Sequence, residues 1–222
     1  MAIARDATST SNGTGAGPYS SSHTCTGDDL ILYVIVRTVD DAGAGSSDAI
    51  TGVTYNSVAM TELGKVSVTG TPSPENGTIY HYALLAPSTG ANTLEITSSA
   101  SLDSVVWIIH SYTGVTQAAL PSNFNTNNEN APGGGTHDIS ETTTGFDAWL
   151  VGGVDSDNGI ITISGDVTEQ VAAGGNLKSF DTNGVVSGTK TASFSTVGTT
   201  EQWFSCIAEI NAVPPKPRVM FF

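Results

Sequence analysis

A chain of 222 residues with seven Lys and Arg against 21 Asp and Glu has a formal charge of −14, although only 13% of it is charged. Ser (25), Thr (30), Asn (13) and Gly (25) supply about two-fifths of the residues, while 38% apolar content and a mean hydropathy of +0.01 leave enough material for a core. Cations this few and scattered argue against a nucleic-acid partner or an anionic membrane surface, and the longest apolar run, Leu30 to Val36, is too short to cross a bilayer.

In chain order, residues 1–22 are small and polar and read as a flexible or externally anchored arm. His23–Thr26 reads as a short first strand. Leu30–Thr38 is a continuous β-branched run, the pattern of a strand covered on both faces. Ile50–Tyr55, a turn at Asn56-Ser57 and Val58–Val68 read as a hairpin. Pro72–Gly77 is a turn cluster, followed by strands at Thr78–Leu85, Asn92–Thr97 and Ser104–Thr113. The stretch Gln117–Gly135 is rich in asparagine and reads as a long exposed loop presenting Asn123, Asn125, Asn127, Asn128 and Asn130. Strands resume at His137–Thr142, Ala148–Val154, Val167–Ala172, Leu177–Asp181, Val185–Ser195 and Glu201–Asn211.

This pattern predicts an all-β protein: an antiparallel β-sandwich of two packed sheets and about a dozen strands, forming one domain over residues 23–211. Residues 212–222 break it. Pro214, Pro215, Lys216, Pro217, Arg218, Val219, Met220, Phe221 and Phe222 form a proline-stiffened tail with an apolar end. Such an end either folds back on its own domain or docks on a partner.

The search for chemistry returns little. The chain has no Gly-x-Ser-x-Gly elbow, phosphate loop or His-Glu-x-x-His motif, and an enzyme is not expected. His23, His81, His110 and His137 are isolated in sequence, and for His81 and His110, within strands, a structural role is the default. Asp155-Ser-Asp-Asn-Gly159 matches a calcium loop only in part, and Asx turns account for it. Asn12-Gly-Thr14 and Asn76-Gly-Thr78 match glycosylation acceptors but read as turns. Trp107, Trp149 and Trp203 lie in strand cores, where burial is expected. Cys25 and Cys206 read as half-buried thiols, with a disulfide between first and last strands as the alternative. No metal or cofactor is expected. The first residues show no apolar stretch like a signal peptide, so synthesis in a cytoplasm is the expectation.

Met1-Ala-Ile-Ala4, Ser22-His-Thr-Cys-Thr-Gly27, Ile50-Thr-Gly-Val-Thr-Tyr-Asn-Ser-Val-Ala-Met-Thr61, Tyr82–Ala91, Ser111–Val115 and Ala208-Glu-Ile-Asn211 resemble a group of structural proteins from tailed bacteriophages and environmental viruses. The resemblance covers roughly residues 1–120 and 200–211. It implies a jelly-roll-like sandwich and a virion location, and it brings no catalytic residues. The expectation is a non-enzymatic outer-surface or head-decoration protein, docked on the major capsid protein through a terminal segment and self-associating, with a trimer as the guess. The alternative is a carbohydrate- or receptor-binding module that takes glycans in its loops.

Overall fold

The structure, a computed structural model, describes residues 2–40, 47–68, 76–131, 136–156, 161–174, 176–196 and 201–214. Within them the chain is all-β, with sixteen strands in three antiparallel sheets. In the first half, β1 (Ala4–Ala16), β3 (Ile31–Asp40), β6 (Thr61–Val68), β7 (Asn76–Leu85) and β9 (Ser101–Thr113) make a five-stranded sheet in the order β1-β9-β3-β7-β6. β2 (Tyr19–Cys25), β4 (Ile50–Tyr55), β5 (Val58–Ala59) and β8 (Gly90–Ser98) make a second, β2-β8-β4-β5. The second half supplies seven strands: β10 (Phe124–Ala131), β11 (Thr136–Ser156), β12 (Ile161–Gly165), β13 (Thr168–Ala172), β14 (Lys178–Asp181), β15 (Val186–Thr196) and β16 (Glu201–Ile210). Five run β10-β16-β11-β14-β13, while β15 pairs with β11 and with β12.

Successive side chains of a strand point to opposite faces, and the five-stranded sheet has an apolar residue for both. Leu32, Val34 and Val36 of β3, with Trp107 and Ile109 of β9, pack against Val53, Tyr55, Leu94 and Ile96 of the four-stranded sheet. Ile31, Tyr33 and Ile35 point the other way, onto Trp149, Val151, Phe204, Cys206, Ala208 and Ile210 of β11 and β16. β3 is therefore covered on both faces, as its unbroken apolar run predicts. The alternate residues of β11 and β16 build a third core, where Leu150, Val154, Trp203 and Ile207 meet Phe180 and Phe194. At about 1.5–3 kcal/mol for each large apolar side chain removed from water, these three cores hold the layers together.

β11 reaches two neighbourhoods by bending. Its first part pairs with β15 from Thr136 to Thr143 and its last part with β16 and β14, with a register break between Thr143 and Ala148. Asp147 sits in the bend at φ 45°.

Several expectations change. Residues 1–22 are not an arm: β1 pairs along β9 from Ala4 to Ala16, and β2 begins at Tyr19. Thr, Ser and Gly carry no apolar alternation to betray a strand, yet β1 needs none because it is a sheet edge. Gly13 is required there, since a Cβ would come within 2.6 Å of the Tyr19 ring. The Val58–Val68 strand is split. β5 closes a short hairpin with β4 through Asn56 and Ser57, both at positive φ as a primed turn demands. After the buried Met60 the chain crosses to the other sheet as β6. Among the described residues the strands number sixteen rather than about a dozen, and three sheets are stacked rather than two; β1 and β10 are hidden by polar composition, and β12 by its length of five residues. Both Asn-Gly-Thr sequences start in strands rather than turns. Residues 72–75 of the proline turn cluster lie outside the described residues.

Candidate functional site

The polar groups that burial would otherwise leave unsatisfied are spent on ties between strands and layers. Arg37 of β3 donates from Nε to Asp155 Oδ2 of β11 at 2.9 Å, with the Asp155 side chain fully buried. Arg5 of β1 reaches Asp181 of β14 at 3.5 Å. Asp181 also accepts from Tyr112 Oη (3.1 Å), Gln170 Nε2 (2.7 Å) and the Asn183 N–H (2.9 Å). Burial still lifts its carboxyl above the ordinary carboxylate range, against the pull of Arg5 and these donors.

All four histidines are buried. His110 of β9 is hydrogen-bonded to Thr8 of β1 and to Ser179 of β14, each at 2.8 Å. His23 of β2 bridges Ser9 (2.8 Å) and Ser111 (3.2 Å), and Ser111 donates to Asp6 at 2.7 Å. His137 stacks on the Trp203 ring and packs beside Phe194, with Nε2 2.8 Å from Ser205 and Nδ1 3.2 Å from Glu129. His81 is hydrogen-bonded to Tyr33 through Nδ1, while its buried Nε2 has no hydrogen-bond partner among the described residues. Burial pushes His81 and His110 down to about 3 and lowers His23 and His137 as well. Burial works to raise Asp6, but hydrogen bonds from Thr26 and Ser111 outweigh it and hold that carboxyl below its usual range. An imidazole with both nitrogens on neighbouring hydroxyls is a satisfied neutral histidine, and chemically the arrangement fastens one layer to the next.

The predicted asparagine loop is a strand. β10 pairs with β16 from Phe124↔Ala208 to Ala131↔Glu201, so Asn125, Asn127, Asn128 and Asn130 are strand residues and Asn123 immediately precedes them. Asn123, Asn125 and Asn127 share one face, and their Nδ2 groups donate to the carbonyls of Thr142 (3.5 Å), Ser140 (3.0 Å) and Asp138 (2.9 Å). The side chains thus replace the missing main-chain ladder between β10 and the first part of β11. Asn128 points the other way and donates to the Ser67 carbonyl at 3.2 Å, tying β10 to β6. Sequence reasoning reads such residues as a loop because asparagine is poor in strands. The available signal was the odd-numbered spacing 123, 125, 127, a period of two.

The root of the proposed docking segment is firmly held. Ala212 makes an isolated bridge with Val115, and Val213 N donates to the Gly114 carbonyl at 2.9 Å. Thr116 N donates to Asn211 O at 2.8 Å, and Gln117 ties the connector to the Leu30 carbonyl at 3.0 Å. Beside it lies a cavity of about 120 Å³ lined by Ile31, Leu120, Pro121, Glu209, Ile210 and Asn211. Glu209 clamps the β11 bend: it accepts from Asn123 Nδ2 (2.5 Å) and from the main-chain nitrogens of Thr144 (3.0 Å) and Gly145 (2.6 Å). Pro214 is exposed, and Pro215, Lys216, Pro217, Arg218, Val219, Met220, Phe221 and Phe222 lie outside the described residues.

Trp107, Trp149 and Trp203 are all buried, and so are the six tyrosines. The described surface therefore offers no tryptophan or tyrosine platform for stacking a sugar. A polar depression of about 280 Å³ is lined by Thr54, Asn56, Ser57, Asn92, Thr93 and Glu95 at the β4–β8 end. Among the described residues no cluster of three or more His, Cys, Asp or Glu is placed to hold a metal. Asp155 of the calcium-like sequence is engaged by Arg37, and residues 157–160 lie outside the described residues. The thiols of Cys25 and Cys206 are free and fully buried rather than half-buried, in separate cores on opposite faces of the five-stranded sheet. No protein-family model, curated protein or solved structure matches the chain.

Proposed function

We propose that the protein is a non-enzymatic virion component that decorates the outer surface of a tailed phage, most naturally on its head. It self-associates as a trimer and grips the major capsid protein through the segment that follows Pro214. The observation that carries this reading is the layered build: a central sheet buried on both faces and fastened to the next sheet by Arg37–Asp155, Arg5–Asp181 and His110–Ser179. Polar groups committed to fastening layers make a stiff block, which suits a part that must keep its shape on a particle. The resemblance of its sequence motifs to those of virion proteins supports the reading, and these motifs fall on structural elements: Ile50–Thr61 forms β4, its turn, β5 and the start of β6, and Tyr82–Ala91 runs from β7 into β8. The surplus of carboxylates keeps such a surface soluble and away from packaged nucleic acid.

The grip is tested by removing Val219–Phe222 and sedimenting the chain with particles that lack it. The full chain is expected to pellet with the particles, while the truncated chain stays in the supernatant with an unchanged circular-dichroism spectrum. Equal co-sedimentation of both contradicts the docking role.

A second reading, glycan recognition, is favoured by the polar depression around Asn56, Asn92 and Glu95 and no longer by the β10 asparagines. Glycan-array binding abolished by Asn92→Ala distinguishes it from the first.

A further inference from the structure

Four Asn-Gly pairs occur in the chain, at 12–13, 76–77, 158–159 and 183–184. The third lies outside the described residues. In such a pair the glycine nitrogen approaches the asparagine side-chain amide with no Cβ in the way. The structure treats the other three pairs very differently. Asn12-Gly13 is held in β1 opposite Val106 and Val105, and the Tyr19 ring lies 2.6 Å from where a Gly13 Cβ would sit. Gly77 is paired on both sides, with Val39 and with Val68, and the Phe204 ring lies 2.6 Å from where a Gly77 Cβ would sit. Asn183-Gly184 lies between β14 and β15, outside any strand. Asn183 is exposed at φ 47°, and the nearest heavy atom to a Cβ built on Gly184 is the Thr182 carbonyl at 3.9 Å.

We propose that Asn183 is a site of spontaneous deamidation in the folded protein, with water as its only co-reactant. The Gly184 nitrogen gives its proton to solvent base and bonds to Asn183 Cγ; the Cγ–Nδ2 bond breaks and ammonia leaves, closing a succinimide. Water then adds to one of the two ring carbonyls. Opening at Cγ leaves aspartate with the main chain intact, and opening at the α-carbonyl leaves isoaspartate, with the chain rerouted through Cγ. Neither product needs an oxidant or an enzyme. The site matters because it adjoins a layer tie: the Asn183 N–H donates to Asp181, which holds Arg5, Tyr112 and Gln170. A new carboxylate two residues from that buried carboxyl, or a lengthened main chain there, loosens the contact between β1 and β14.

The test is to age the intact folded chain in mildly alkaline buffer and map tryptic peptides by mass spectrometry and isoaspartyl methyltransferase labelling. Cleavage after Lys178 and Lys190 isolates Asn183 in peptide 179–190, while Asn12 falls in peptide 6–37. Peptide 179–190 is expected to convert several-fold faster than 6–37, gaining the mass of NH exchanged for O. Gly184→Ala, whose methyl group has open space, is expected to slow that conversion several-fold without unfolding the chain. The proposal is overturned if 179–190 stays unconverted, if 6–37 converts as fast, or if Gly184→Ala leaves the rate unchanged.

Discussion

Lowering the pH from about 7 to about 4.5 is expected to remove about 5 kcal/mol of folding stability through two histidines alone. His81 and His110 are pushed down to about 3 by burial, whereas in the unfolded chain they titrate near the ordinary value of about 6.5. Below that value the unfolded chain binds protons that the folded chain refuses. Each histidine therefore subtracts about 1.4 kcal/mol per pH unit until the folded value is reached. The stability is whole above the unfolded pKa and is lost as the pH falls through the window between the two. His23 and His137 are lowered in the same direction. Asp6 and Asp48, held below the ordinary carboxylate value of 3.8, add to the loss only as the pH falls below that value, and Asp181, lifted by burial, opposes the loss only above it. A domain of this size holds about 5–15 kcal/mol in all, so the acid transition is expected to be cooperative and well above the carboxylate range. Urea unfolding followed by circular dichroism at steps between these pH values measures it. A midpoint that stays flat to about pH 4.5 contradicts the burial of the histidines.

Arg37→Ala is expected to cost about 3–5 kcal/mol, because it removes the guanidinium from a carboxylate that is fully buried between two sheets. The expected signature is a lower urea midpoint with an unchanged slope, since the folded and unfolded surfaces barely change. Arg37→Met combined with Asp155→Leu is expected to recover most of the loss, because an apolar pair of similar volume needs no desolvation of charge. A single substitution that costs less than about 1 kcal/mol would show that the pair is solvated like a surface ion pair and does not tie the layers.

The apolar pattern made much of the fold legible. The run from Leu30 to Val36 announces a strand with two covered faces, and the structure places β3 in the middle of the stack for that reason. Other strands are built from residues whose role depends on where they land. Thr8 and Ser9 look like residues of a polar arm until the fold brings His110 and His23 against them. The β10 asparagines look like a loop until the β11 carbonyls stand opposite their side chains. The bend at Gly145–Asp147 is set by Glu209, 64 residues away in sequence from Gly145, so no local pattern announces it. Sequence periodicity reports which face of a strand is apolar; it does not report hydrogen bonds made across layers.

The most direct measurement of the proposed role is the composition and reconstruction of tailed-phage particles purified from a lysate in which this chain is made. The account predicts that the chain is present in many copies per particle, as three-fold-symmetric density on the outer surface. A chain that remains wholly in the soluble fraction and is missing from the purified particles would contradict it.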